Sequence, residues 1–516
     1  MRKLLFAVAP FIATAALAQT TEDATKFAAT ITAADLKEKL TIIASADMEG
    51  RETATPGQKK AAAFIEEQFK KLGLKPGNGN SYQQVYPVYQ DELTDKKLSV
   101  NGKTFEWDKD YSISLQSVPN GAFSYSEVTF AGYGIVDSAG NINDYAGLDV
   151  TGKIVVVLDG APDGYKSAAP AGGRRFNNPS STFGKMAAAR TKGAAGIVII
   201  SKDFPHKTAT ATQGNMYVNR PAAGSPSFLA ATVSEEIGSA LLGRTRTVPT
   251  ASLKESPKGV FIAELKIAAE KVTHELQSSN VMGLMEGTDK KDEYVILTGH
   301  YDHLGKKGDV IWYGADDDGS GTTTVLEMAK AFAEAKKKGM GPRRNILFMT
   351  VSGEEKGLWG SQYYSEHPVY SLDKTTVDLN TDMVGRVDTE RKTADSLNYV
   401  YVIGHDKLSS DLPVINEDVN KKYTQLVLDY KYDDPNDQNR IYFRSDHYNF
   451  ARKGVPILFF YDGMLKADYH QPTDTVDKIN FSLMEKRVRM IFYTAWVMAN
   501  REKMLKRDIP LNVPNR

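Results

Sequence analysis

The chain has no cysteine in its 516 residues. That excludes disulfides, thiolate metal sites and lipid attachment through cysteine, so any metal must be held by histidine and carboxylate. It also lacks a charge imbalance. Lys plus Arg number 64 and Asp plus Glu number 64, so no basic or acidic excess points to a nucleic-acid or anionic-membrane partner. Beyond the first twenty residues it has no apolar run of the ~20 residues that a membrane span requires.

The start does carry a short apolar run. Arg2 and Lys3 precede Leu4 to Leu17, and Ala16-Leu17-Ala18 is a small-x-small cleavage site. The pattern predicts a secretory signal peptide over 1–18, a mature chain beginning at Gln19, and a periplasmic or secreted protein. The absence of disulfides in an exported chain of this size favours a bacterial source. Apolar residues at 41% and charged residues at 25% are ordinary for a soluble globular protein.

Three textures follow. Thr55 to Leu74 reads as a helix with Ile65, Phe69 and Leu72 at helical spacing, inside an N-terminal part spanning 19–122. Residues 123–265 alternate strand-like runs such as Lys153 to Leu158 and Gly196 to Ile200 with a helix at Thr182 to Lys192. They hold no histidine cluster, which predicts a separate domain without chemistry of its own. From 266 to 516, Tyr294 to Thr298, Asn345 to Val351, Thr376 to Asn380 and Pro456 to Tyr461 read as buried strands. Thr322 to Lys338 reads as a helix burying Val325, Met328, Ala329 and Phe332. A Ser482–Glu485 capping box is expected to open a last helix. Short apolar strands alternating with amphipathic helices predict an α/β fold with a mostly parallel central sheet flanked by helices.

In such sheets ligands bind beyond the carboxyl ends of the strands. Those ends carry His300-Tyr301-Asp302-His303, then Glu354-Glu355, then Asp382, and one loop later Tyr469-His470. GADDDGSG, with Asp316, Asp317 and Asp318, precedes a helix. Each piece alone is weak, since paired glutamates or a lone histidine are usually solvated surface. A calcium-binding EF-hand reading of the triple aspartate fails, because Lys307 to Ala315 reads as strand and turn where a helix is needed. Two histidines and three carboxylates suit two zinc ions sharing one carboxylate and activating a bridging water, with a further free carboxylate as general base. The adjacent glutamates supply one ligand and one base. Asp302, two residues beyond His300, is placed to orient its imidazole.

These residues resemble the di-zinc aminopeptidase and glutamate carboxypeptidase family of metallopeptidases, in the subgroup with an inserted protease-associated (PA) domain. ASADMEGRETATPG, NVMGLMEG, GHYDHLG, GADDDGSG, SGEEKGLWGS, NTDMVGR, RSDHYNF and YHQPTDT carry the resemblance in order. It implies a zinc exopeptidase fold with a β-rich PA domain over 123–265 acting as a lid or interaction module. It implies two Zn²⁺ per chain, with His300 and Asp382 on one, Glu355 and His470 on the other, and Asp317 bridging. It further implies a cis peptide after Asp317, Glu354 as catalytic base, Tyr469 at the oxyanion and Asp302 orienting His300. Peptides are then the substrates, cut at the amino terminus. A carboxypeptidase for short acidic peptides stays open, with Arg386, Arg440 and Arg444 available for carboxylates. A one-zinc glutaminyl cyclase or a metal-free receptor relative fits the filled ligand set less well. Side-chain specificity and oligomeric state are not legible.

Overall fold

A computed structural model describes residues 24–115, 118–166, 178–220 and 228–513. The expected signal peptide lies outside them. Among the described residues no helix is long and apolar enough to cross a membrane. The chain divides into two compact units, one formed by Met1–Pro87 with Gln277–Arg516 and one by Val88–Leu276.

The first unit is built on seven strands: β1 (Gly259–Met285, its later part), β2 (Lys290–His300), β3 (Arg344–Val351), β4 (Thr375–Thr381), β5 (Tyr399–Ile403), β6 (Val427–Asp429) and β7 (Ile457–Tyr461). Their spatial order is β6-β5-β7-β4-β2-β3-β1. β3, β2, β4 and β7 are mutually parallel neighbours, while β1 and β5 join antiparallel. Every residue of β3, β4 and β7 is buried. That is why Ile346 to Met349 in β3 and all of β7 read as unbroken apolar runs and not as alternations, whereas β4 buries Asp378 and Asn380 through hydrogen bonds to Thr298 and Ser445. Burying each Leu, Ile, Val or Phe contributes about 1.5–3 kcal/mol. The four parallel strands end at one edge, and that edge collects the polar residues that follow each run.

Helices cover the sheet. Gly321–Lys337 buries Val325, Met328, Ala329 and Phe332 as the spacing predicts. Phe332 stacks on Trp496 of the last helix, Phe481–Asn500, with ring centroids 5.6 Å apart. The start of that last helix corrects the sequence reading. Asn480 is the cap, its side chain accepting from the Leu483 N–H at 3.1 Å, and Ser482 lies inside the first turn. Glu485 reaches away from its own helix start and accepts the Ala33 N–H at 2.6 Å. The long-range partner takes the carboxylate that a capping box would have used.

The second unit has its own run of strands and its own core. Tyr111–Ile113, Leu229–Val233, Gly196–Ile200, Ile154–Leu158, Gly121–Phe130 and the early part of Gly259–Met285 lie side by side in that order. The middle four are parallel, and the two outer pairings are antiparallel. The unit reaches beyond the expected 123–265. The Asn101 N–H donates to the Glu264 carbonyl at 2.9 Å and the Thr94 hydroxyl to the Glu270 carbonyl at 3.1 Å, so the polar strand ahead of residue 123 packs with this sheet.

Candidate metal centre

His300 is the last residue of β2, and Asp382 follows β4 directly. Glu354 and Glu355 follow β3 after Ser352 and Gly353, and His470 lies in the loop after β7 at a positive φ of 57°. Asp317 sits in the turn Ala315–Ser320 between β2 and the Gly321–Lys337 helix. The peptide joining Asp317 to Asp318 is cis.

The three aspartates of this turn do different work. Asp318 accepts the His300 N–H at 3.0 Å, the Gly321 N–H at 2.7 Å and the Met383 N–H at 3.1 Å. Asp316 accepts the Gly385 N–H at 2.8 Å. Asp474, which the sequence reading did not single out, accepts the N–H groups of Asp316 and Asp317, at 3.0 and 3.1 Å for its nearer oxygen. The outer aspartates knit loops, and the middle one is left facing the strand ends. Two glycines make the turn possible. Gly314 has φ 54° and a Cβ there would meet the His303 ring at 2.5 Å, while a Cβ on Gly321 would meet the Asp318 carboxylate at 2.3 Å.

Arg51 closes the floor. Its fully buried guanidinium donates to the carbonyls of Ile43, Tyr301, Tyr313 and Gly314 at 2.7–2.8 Å. Burying such a charge costs several kcal/mol. Charge-assisted bonds of about 1.5–3 kcal/mol each offset that cost and tie the Tyr313–Gly314 main chain ahead of Asp317 to Tyr301 and Ile43.

Asp317 presents one oxygen to each side. Its Oδ1 lies 3.2 Å from His300 Nε2, and Asp382 Oδ1 lies 3.7 Å from the same nitrogen. Its Oδ2 lies 3.1 Å from His470 Nε2, which is also 3.1 Å from Glu355 Oε2. His303, a residue the sequence reading left without a role, stands on the second side, its Nδ1 2.7 Å from Glu355 Oε1. Buried and without hydrogen-bond partners are His300 Nε2, both nitrogens of His303, Asp317 Oδ2 and Glu355 Oε1. Unpaired donor atoms of metal-ligating type converging in a buried space fit a bound cation, because leaving each unsatisfied is costly. Another histidine–carboxylate group, His405, Asp406 and Asp433, differs. Lys407 already pairs with both carboxylates, at 2.6 and 3.0 Å.

Asp302 behaves differently from its expected role. His300 Nδ1 meets the Asp302 backbone carbonyl at 3.1 Å, while the carboxylate stands 3.7 Å away, too far for a hydrogen bond. That carboxylate accepts the Thr53 hydroxyl at 2.7 Å and the Glu354 N–H at 3.2 Å. The orienting contact to His300 therefore comes from the Asp302 main chain, and the side chain ties the Glu354 loop to this edge.

Electrostatics separate the adjacent glutamates. Burial pushes Glu354 well above the carboxylate range, His300 opposes this, and Glu355 and Asp382 add to it. Glu355 is likewise buried and lies near Asp317, but His303 and His470 outweigh both and bring it to about 2. Burial opposes ionisation of Asp317 too, yet His300 and His470 hold it well below the usual range. The two neighbours thus sit in different surroundings, Glu355 between His303 and His470 and Glu354 facing His300 with carboxylates around it.

Tyr469 stacks on His470 with ring centroids 3.9 Å apart, and its hydroxyl oxygen accepts from Arg444 at 2.8 Å. A recess beside Glu354 and Asp382 is walled by Met383, Ile441, Phe459, Tyr461 and Leu465, with Arg444 and Tyr469 on its rim. Of the other two arginines, Arg386 is engaged with Asp468 at 2.9 Å and Asp474 at 3.8 Å, and Arg440 stacks over Phe443.

Residues 280–495 match the model of peptidase family M28, and residues 125–241 match that of the PA domain. A probable leucine aminopeptidase of Arthroderma otae is 27% identical over 237 residues, covering 45% of this chain and 60% of that protein. A probable zinc metalloprotease of Pyrenophora tritici-repentis is 32% identical over 132 residues, 25% of this chain and 26% of that one. The chain thus spans less than two thirds of the length of either relative. Among solved structures, an aminopeptidase from Aneurinibacillus sp. strain AM-1 aligns over 96% of this chain and 100% of its own with a TM-score of 0.53 at 20% identity, a likeness of fold. The chain carries an M28 peptidase region with a PA domain inserted ahead of it.

Proposed function

We propose that this chain is an exported zinc-dependent exopeptidase that removes residues from the free amino termini of peptides. The observation that carries the reading is Asp317, whose two oxygens face His300 on one side and His470 on the other at 3.2 and 3.1 Å. In this reading His300 and Asp382 hold one zinc ion, Glu355 and His470 a second, and Asp317 both. Donor atoms of this class suit zinc, and the M28 match with a zinc metalloprotease relative supports that metal. Bound zinc supplies Lewis acidity, activating water and polarising the scissile carbonyl.

The chain's own residues do the rest. Glu354, whose Oε2 lies 3.9 Å from His300 Nε2, takes the proton of the attacking water and passes it to the departing amine nitrogen as the C–N bond breaks. The Tyr469 hydroxyl, its oxygen already accepting from Arg444, keeps its own proton to donate to the developing oxyanion. Glu354 and Asp382 border the recess and offer negative charge to a substrate ammonium, while Met383, Ile441, Phe459 and Leu465 suit an apolar first side chain. A carboxypeptidase for acidic peptides needs cations here, and of the arginines considered only Arg444 lines the recess.

Matched peptides test the reading. Those with a free amino terminus are expected to be shortened stepwise from the front whether the carboxyl end is free or amidated, and acetylation is expected to stop cleavage. Cleavage of acetylated peptides that requires a free carboxyl end would move the enzyme to carboxypeptidases. Export rests on residues 1–18 and is read by sequencing the amino terminus of protein recovered outside the cytoplasm. Gln19 is expected first, and an intact Met1 would refute cleavage.

A further inference from the structure

The donor set on the Glu355 side is larger than the five-residue arrangement requires. His303 is fully buried, and neither of its ring nitrogens has a hydrogen-bond partner. A buried imidazole normally fixes at least one nitrogen on a carbonyl, carboxylate or water. His447 shows the ordinary case in this molecule, with Nε2 2.9 Å from the Tyr442 carbonyl. His303 Nδ1 stands only 2.7 Å from Glu355 Oε1, yet both atoms count among the unsatisfied ones. The ring nitrogen is close to that oxygen without being aligned on it. It is also 4.0 Å from Asp317 Oδ2, a third unsatisfied atom.

These separations can be compared with the size of a zinc site. Two atoms bonded to one ion at about 2.1 Å can stand no more than about 4.2 Å apart. His303 Nδ1 to Glu355 is 2.7 Å and to Asp317 is 4.0 Å, while His470 Nε2 is 3.1 Å from each of the same two carboxylates. All four separations fall within that limit. On the other side His300 has no such companion. Its Nδ1 is committed to the Asp302 carbonyl at 3.1 Å.

We infer that His303 is itself a ligand, through Nδ1, of the ion held by Glu355, His470 and Asp317. That position then has four protein donors, two of them imidazoles, against the three donors His300, Asp382 and Asp317 on the other. The inference rests on the two-ion reading. It makes the two positions unequal, the Glu355 side having the larger set of protein donors.

The test uses the full chain loaded with zinc and crystallised, with anomalous data at the zinc edge locating each ion. Zinc on the Glu355 side with His303 Nδ1 at about 2.0–2.1 Å is the expected result. Zinc in that place with Nδ1 beyond about 3 Å, turned onto the Glu355 carboxylate, overturns the inference and leaves the two-ion reading standing. No zinc on that side overturns both. In solution, chelator competition on wild type and His303→Gln is expected to show one zinc equivalent weakened by more than about 100-fold and the other unchanged. A residue that merely orients Glu355 would cost about 10–100-fold. A loss below about 100-fold, or an equal loss at both equivalents, counts against ligation.

Discussion

Glu354→Gln is expected to keep the fold and the full metal content and to lose about three to four orders of magnitude in kcat, the upper end of what a general base contributes. The substitution removes a proton acceptor without changing shape. The main chain at this residue stays held by its N–H on the Asp302 carboxylate at 3.2 Å. KM should change little, because the amide can still border the recess. Glu355→Ala should show the opposite pattern, with metal lost first and activity lost as a consequence. Its side chain faces His303 and His470 at 2.7 and 3.1 Å, whereas Glu354 comes no nearer than 3.9 Å to His300. Elemental analysis of the two purified variants, set beside their steady-state kinetics, separates these roles. If Glu354→Gln loses zinc and Glu355→Ala keeps it, the assignment within the pair is wrong.

Asp317→Ala is expected to be the most damaging single change to metal content. It takes one donor from each side at once, so zinc after desalting should fall below one ion per chain and activity below detection. The loss should not be a folding defect. The backbone around residue 317 is held by groups the substitution leaves in place, namely the Asp474 carboxylate on the N–H groups of residues 316 and 317 and the Asp318 carboxylate on His300, Gly321 and Met383. Circular dichroism with zinc analysis on the same sample reads both. Wild-type protein stripped by chelator should regain activity with added zinc, and the variant should not. A variant that retains two zinc ions and near-normal rates would rule out a shared carboxylate.

The strand ends were legible because burial leaves a mark on sequence. Leu347, Phe348 and Met349 could only be interior, so the glutamates shortly after them had to lie at a sheet edge. The same logic placed His300 and Asp382. Loop register leaves no such mark. Nothing in the spacing shows that Asp474 holds the backbone of Asp316, or that His300 meets the main chain of Asp302 while the carboxylate serves Thr53 and Glu354. His303 was visible in the HYDH run. One residue past Asp302 it could have faced either way, and only its buried, unpaired ring reveals its direction. The Ser482–Glu485 pair failed for a related reason. A capping box is a local bargain, and a partner far along the chain, Ala33, took the carboxylate. The polar strand Gln83–Val100 was passed over because its side chains alternate weakly, and the bonds that place its end in the second unit go to main-chain carbonyls, from the Thr94 hydroxyl and the Asn101 N–H.

The proposed ligands arrive from four separate strand ends and the connections that follow them, the first at residue 300 and the last at residue 470. No short stretch of the unfolded chain can imitate that set, so the ion discriminates between conformations far better than it does between fragments. Mass action then ties thermal resistance to the surroundings. For each site, every tenfold rise of free zinc above its dissociation constant adds about 1.4 kcal/mol in favour of the native form. The melting temperature is expected to climb with free zinc and to drop in chelator, even for the Glu354→Gln protein that turns nothing over. A chain stabilised this way draws part of its endurance from the free metal around it.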